Sequence, residues 1–123
     1  MAFDPGALLG TSFALGDGLR VRLRLARSSD SAPIRALVAR AGTRPEELEL
    51  ARLVQFDPRR RVVICATGLI DGSETLVGVG AVELDGSDPE VLIVDAAHDE
   101  PLSELLTAAL AGRAGAAADA RAA

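Results

Sequence analysis

The sequence predicts an α/β fold: a mainly antiparallel, four-stranded sheet with helices packed on it, in the order strand, helix, helix, strand, strand, strand, helix. Three observations predict it. The first is the stretch from Arg61 to Asp95, which reads as three consecutive β-rich runs broken by turn residues at Asp71-Gly72-Ser73 and Asp85-Gly86-Ser87-Asp88-Pro89. Connections this short force antiparallel pairing, because a parallel return needs a dozen or more residues. The second is strict alternation over Leu19-Arg20-Val21-Arg22-Leu23-Arg24-Leu25, the period of a half-buried strand. The third is helical spacing of apolar residues in three separate segments.

Strands are expected near 19–26, 61–70, 75–84 and 90–95, and helices near 30–41, 44–55 and 99–112. In the first strand Leu19, Val21, Leu23 and Leu25 face inward, and Arg20, Arg22 and Arg24 form an outward stripe that guards a sheet edge against stray pairing. Ser28-Ser29-Asp30 supplies a helix cap, Pro33 suits the first turn, and Ile34, Leu37, Val38 and Ala41 recur at helical spacing. Thr43-Arg44-Pro45-Glu46 has the capping-box form, with Thr43 as the cap. The helix after it buries Leu50, Leu53, Val54 and Phe56, and Asp57-Pro58 stops it.

In the run beginning at Arg61, Val62, Ile64 and Ile70 alternate with Val63, Cys65 and Leu69, so both faces are apolar. Such a sheet is covered on both sides, or covered on one and used as an interface on the other. Gly78-Val79-Gly80 lies inside the next strand and marks close packing of a helix or a bulge. The last helix opens on Asp99-Glu100-Pro101 and carries Leu102, Leu105, Leu106 and Leu110 as its stripe. The core is expected at Leu23, Ile34, Leu37, Leu53, Val63, Ile64, Leu69, Val79, Val82, Leu92, Val94, Leu105 and Leu106. Residues 1–18 read as an N-terminal arm, 19–112 as one domain, and 113–123 as an Ala-rich tail with too few large side chains to anchor it.

Composition narrows the function. The 123 residues make one domain, and aromatics at 2% leave the core to aliphatic side chains. Every basic side chain but His98 is an arginine, and with the abundant alanine this is what a GC-rich, bacterial-like coding sequence produces. A net charge of −5 argues against nucleic-acid binding. No apolar run approaches the ~18 residues of a membrane span, and the N-terminus lacks the pattern of a secretory signal. The expected location is the cytoplasm. Cys65, the only cysteine, excludes an intrachain disulfide and a multi-cysteine metal site, and mid-strand it reads as a buried, inert thiol. The base candidates are His98, Glu83, Glu90 and Asp95. His98 is the only histidine, and imidazole titrates where general acid–base chemistry needs it. Beside Asp99 and Glu100 it also reads as a solvated loop residue, Glu83 as solvent-facing, and Asp95 as a strand end that bonds local backbone.

The stretch Val21-Arg22-Leu23-Arg24-Leu25-Ala26-Arg27-Ser28-Ser29-Asp30-Ser31-Ala32-Pro33-Ile34 resembles the opening of the GNAT (Gcn5-related) N-acetyltransferases, and Leu92-Ile93-Val94-Asp95 with the helix after it resembles that family's fourth strand and acyl-CoA-binding helix. The resemblance covers about residues 19–110. It implies acetyl-CoA or CoA as a ligand, held near Leu92, Ile93, Val94, Leu102 and Ser103, and His98 or Glu83 as the catalytic candidates. The family places glycines where this chain has His98-Asp99-Glu100-Pro101-Leu102-Ser103. Those glycines free backbone amides for a pyrophosphate, whereas Pro101 has no amide N–H and Asp99 and Glu100 are negative. Members of the family often use a tyrosine as general acid, and the chain has none.

Two functions follow as expectations. One is a non-catalytic, truncated GNAT-like domain, a pseudoenzyme without cofactor, acting by self-association or by binding a partner. The other is an acyl-CoA-dependent N-acetyltransferase with a degenerate or dimer-shared site. A small-molecule sensor using the sheet groove is a third, lesser reading. Val91-Leu92-Ile93-Val94 is apolar on both faces, with no charge between Glu90 and Asp95. The family's fifth strand, which would cover its outer edge, is not found in this chain. The 90–95 edge is therefore expected to pair with a second copy as a homodimer, or to be covered by the arm bearing Phe3, Leu8 and Phe13.

Overall fold

A computed structural model describes residues 12–16, 18–41, 44–55, 57–86 and 90–122, with side chains as far as 112 and without that of Phe13. Five strands and three helices follow one another: β1 (Ser12–Ala14), β2 (Arg20–Leu25), α1 (Ser31–Ala41), α2 (Glu47–Val54), β3 (Arg61–Ile70), β4 (Ser73–Glu83), β5 (Val91–Val94) and α3 (Asp99–Ala122). Short 3-10 turns, Ser28–Asp30 and Ala96–His98, lead into α1 and α3. The sheet has the spatial order β1-β2-β3-β4-β5, with each neighbouring pair antiparallel. The α/β class and the antiparallel pairing are as the sequence predicts.

The β3–β4 hairpin is the spine. Asp71 and Gly72 both adopt positive φ, 51° and 80°, in the two-residue turn between Ile70 and Ser73. That is the turn whose twist matches the flanking strands, and Asp-Gly suits it. Pairing slips between Ala66 and Thr67, so β4 carries one extra residue near Val77. Beside this bulge lie Gly78 and Gly80. A methyl group on Gly80 would stand 2.7 Å from Leu110 Cδ1 and 2.7 Å from Leu92 Cδ2, and one on Gly78 would stand 3.0 Å from Leu106 Cδ1. The two glycines are thus the groove into which α3 settles.

Helices cover both faces. Leu102, Leu106, Ala109 and Leu110 of α3 pack on Val21, Leu23, Val62, Ile64, Ala66 and Val77. On the opposite face Ile34 and Leu37 of α1 and Leu53 of α2 pack on Val63, Cys65, Val79, Ala81, Val91 and Ile93. The doubly apolar pattern of β3 is explained by this sandwich.

Several expectations need correction. The described residues form five strands, not four. Ser12–Ala14, read as part of an arm, pairs with Arg20–Arg22 and makes the sheet's edge in place of β2. Three residues are too few to show alternation. Leu25 is 41% exposed and Leu69 63% exposed, because each lies near a strand end where no helix covers it. Val82, Leu92, Val94 and Leu105 are half-buried at the margin of the core, while Val77, Leu102 and Leu110 are fully buried within it. The first turn of α2 is closed by Glu46, whose backbone N–H donates to Glu49 Oε1 at 3.0 Å; Thr43 and Phe56 lie outside the described residues. The last helix extends past 112 as far as Ala122.

Candidate functional site

The side chains able to do chemistry fall at the two ends of the sheet. At one end β5 delivers Asp95 to the 3-10 turn that opens α3. Asp95 Oδ1 accepts from the Ala97 backbone N–H at 3.0 Å, which is the local backbone bond expected of it. Its Oδ2 lies 3.6 Å from Arg40 Nε of α1, and Arg40 Nη2 donates to the Leu76 carbonyl at 2.6 Å. Arg40 thereby ties α1 to both β4 and the end of β5. His98 is half-buried at the end of the 3-10 turn, its backbone N–H donating to the Asp95 carbonyl at 3.0 Å. A shallow, open cleft beside it is lined by Asp99, Glu100, Pro101 and Glu104.

That cleft is electrostatically poor for an anion. Asp99 and Glu100 are exposed in the first turn of α3, and Glu104 is exposed one turn on. Pro101 removes one of the free N–H donors a helix start usually offers. The Ser103 hydroxyl donates to Asp99 Oδ1 at 3.1 Å. Of the other residues singled out with Ser103, Leu102 is fully buried, Ile93 is 3% exposed, and Leu92 and Val94 are half-buried against the core beneath α3.

The other end of the sheet holds Glu83, and here the structure overturns the solvent-facing expectation. Arg61 and Glu83 are direct cross-strand partners in the β3–β4 ladder. Arg61 Nε donates to Glu83 Oε1 at 3.0 Å, and the side chains are 7% and 6% exposed. No pattern within a single strand announces this pair, since register decides it. From the level of Val77, beside Asp95, six residues of β4 lead to Glu83, about 20 Å at the usual rise. Glu83 and His98 therefore do not form one site. Glu90 is exposed and accepts a long bond, 3.4 Å, from Thr107 Oγ1 of α3. Next to Arg61 a cleft of about 310 Å³ opens where β2 leaves β3 and the turn at Asp57 and Pro58 begins.

Two further polar groups are structural. Asp30 receives both ends of the Arg24 guanidinium, Nη1 to Oδ2 and Nη2 to Oδ1 at 2.7 Å each, and the Arg27 backbone N–H at 2.6 Å. The Arg24 hydrogen bonds hold the Asp30 carboxyl below its ordinary 3.8, outweighing the opposing effect of burial. Arg24 is thus no free member of an edge stripe; it fastens β2 to the head of α1. Cys65 is fully buried, and burial pushes its thiol up to about 12, so it stays protonated and unreactive at neutral pH. Among the described residues no group of three or more His, Cys, Asp or Glu side chains could hold a metal, and no helix is long and apolar enough to cross a membrane.

The outer edge of β5 is the remaining feature of note. Asp95 donates to Val77 across the β4–β5 ladder, so by alternation Ile93 and Val91 also turn their backbone groups toward β4. Leu92 and Val94 turn theirs away from β4, to an edge that no described strand covers. The described part of the arm, β1, lies at the far edge of the sheet; Phe3 and Leu8 fall outside the described residues. Searches against protein-family models, curated proteins and solved structures find no match for this chain.

Proposed function

We propose that this chain is a non-catalytic, GNAT-like domain that acts by self-association, joining a second copy through the outer edge of β5. The observation that carries the reading is the outer β5 edge, which no described strand covers. Leu92 and Val94 direct ladder donors and acceptors outward from an apolar strand with no charged residue between Glu90 and Asp95. Unpaired backbone groups beside apolar side chains favour another strand. α1 and α3 occupy the two faces of β5, so among the described residues the outer edge is the side left uncovered. Two copies related by a two-fold axis would satisfy that edge with no other partner.

The non-catalytic part rests on the head of α3. A CoA pyrophosphate placed there would meet Asp99, Glu100 and Glu104, would lack an N–H at Pro101, and would find Ala97 N–H and the Ser103 hydroxyl already engaged. These residues do not fit the group. The competing reading, an acyl-CoA-dependent N-acetyltransferase, draws support from the strand-helix-helix-strand-strand-strand-helix order that runs from β2 to α3 and from His98 at the α3 cleft. Thermal unfolding with CoA and acetyl-CoA separates the two. A ligand at a hundred times its Kd stabilises by about 2.7 kcal/mol. We expect no shift at millimolar CoA; a clear shift restores the enzyme.

A further inference from the structure

We propose that the cleft where β2 leaves β3 binds a small aliphatic monocarboxylate, with its carboxylate on the Arg61 guanidinium and its chain along Leu25, Pro58, Val62 and Val63. The inference concerns the end of the sheet remote from His98 and is independent of how β5 is used.

Arg61 carries it. The residue is 8% exposed and lines the cleft. Its guanidinium donates to Glu83 through Nε alone, which leaves Nη1 and Nη2 without a partner among the described residues. No buried polar side-chain atom lacks a partner among the described residues, so these groups keep their accessibility through the small surface Arg61 retains. A planar fork with its two outer donors free matches the two oxygens of a carboxylate.

The rest of the cleft sets the ligand's size and character. At about 310 Å³ it lies at the small end of ligand sites, and its walls are mostly aliphatic. Val63 and Arg61 reach it from the α1 side of the sheet and Val62 from the α3 side, because it opens at the sheet's end. Arg27, exposed on the lining, adds a second cation. Asp57 is the acid in the lining, and its Oδ1 is occupied by the Arg59 backbone N–H at 3.3 Å. An alkane of the same length would fill the walls but leave the fork unanswered, and an alcohol would meet it with a single uncharged oxygen.

The experiment is calorimetric titration of the full chain with sodium octanoate and, separately, with octan-1-ol, supported by ligand-observed NMR. We expect octanoate to bind one to one and about tenfold or more tighter than octanol. Arg27→Glu reverses an exposed charge and, with circular dichroism verifying that the chain is folded, should weaken octanoate about tenfold. The double variant Arg61→Met/Glu83→Met removes the ion pair while keeping volume, and should abolish the preference for the acid. Absence of octanoate binding at millimolar concentration, equal affinity for acid and alcohol, or full affinity in Arg27→Glu would each overturn the proposal. If the double variant does not fold, the alcohol comparison and Arg27→Glu still decide it.

Discussion

Asp30 shows how one residue can fasten two elements and set a pH response. Its carboxylate binds Arg24 of β2 and the Arg27 N–H, so β2 and α1 meet at a fixed angle. Because its folded pKa lies below the ordinary 3.8, its contribution is fully present above about pH 4 and is lost as pH falls through the folded value. Asp30→Ala should cost about 1–3 kcal/mol at neutral pH. Urea midpoints taken from pH 7 down to 3 should fall less steeply in this variant than in the parent. Glu83 makes a stronger case, because its pair with Arg61 is almost wholly buried. Glu83→Ala strands the arginine and should cost about 3–5 kcal/mol by denaturant unfolding. Neither pairing was legible in the sequence. Arg24 alternates with Arg20 and Arg22 as an exposed stripe would, and Glu83 sits where a strand end usually meets solvent; only the β3–β4 register and the chain reversal before α1 bring the partners together. Cys65 was legible, since a cysteine inside an apolar run of β3 has nowhere to go but the core.

At the scale of elements, β3, β4 and α3 stand or fall together. The Asp71-Gly72 turn, the apolar runs on either side and the leucine stripe of α3 could all be read from sequence, because each is a local pattern with a local cause. The meaning of Gly78 and Gly80 was half-readable: a close approach was expected, but α3 as the approaching element emerges only from the packing of Leu106 and Leu110. Gly80→Ala pushes a methyl into Leu110 and Leu92 and should cost about 1–3 kcal/mol, measured as a lowered urea midpoint. Leu106→Ala, emptying a fully buried site, should cost about 2–5 kcal/mol by the same measure. What sequence could not supply was β1, too short for a pattern, and the parity of β5. That parity matters in practice. Proline at Ile93 would remove a donor that serves β4, whereas proline at Leu92 or Val94 removes one that serves the edge.

Among its described residues the molecule is a sheet closed over by helices on both faces, finished at one edge by β1 and covered by no strand at the other, along β5. The apolar character of Val91–Val94 was plain in the sequence; that the described arm goes to the opposite edge was not. With β1 at the far edge, association through β5 is how a second copy would complete the sheet. Sedimentation velocity at micromolar concentration, on the parent chain and on Leu92→Pro, tests it most directly. The proline would remove an outward donor while sparing the β4 ladder, and circular dichroism would verify that the domain stays folded. The parent should sediment as a dimer and the variant as a folded monomer. A parent that sediments as a monomer, or a dimer that survives Leu92→Pro, would contradict association through β5.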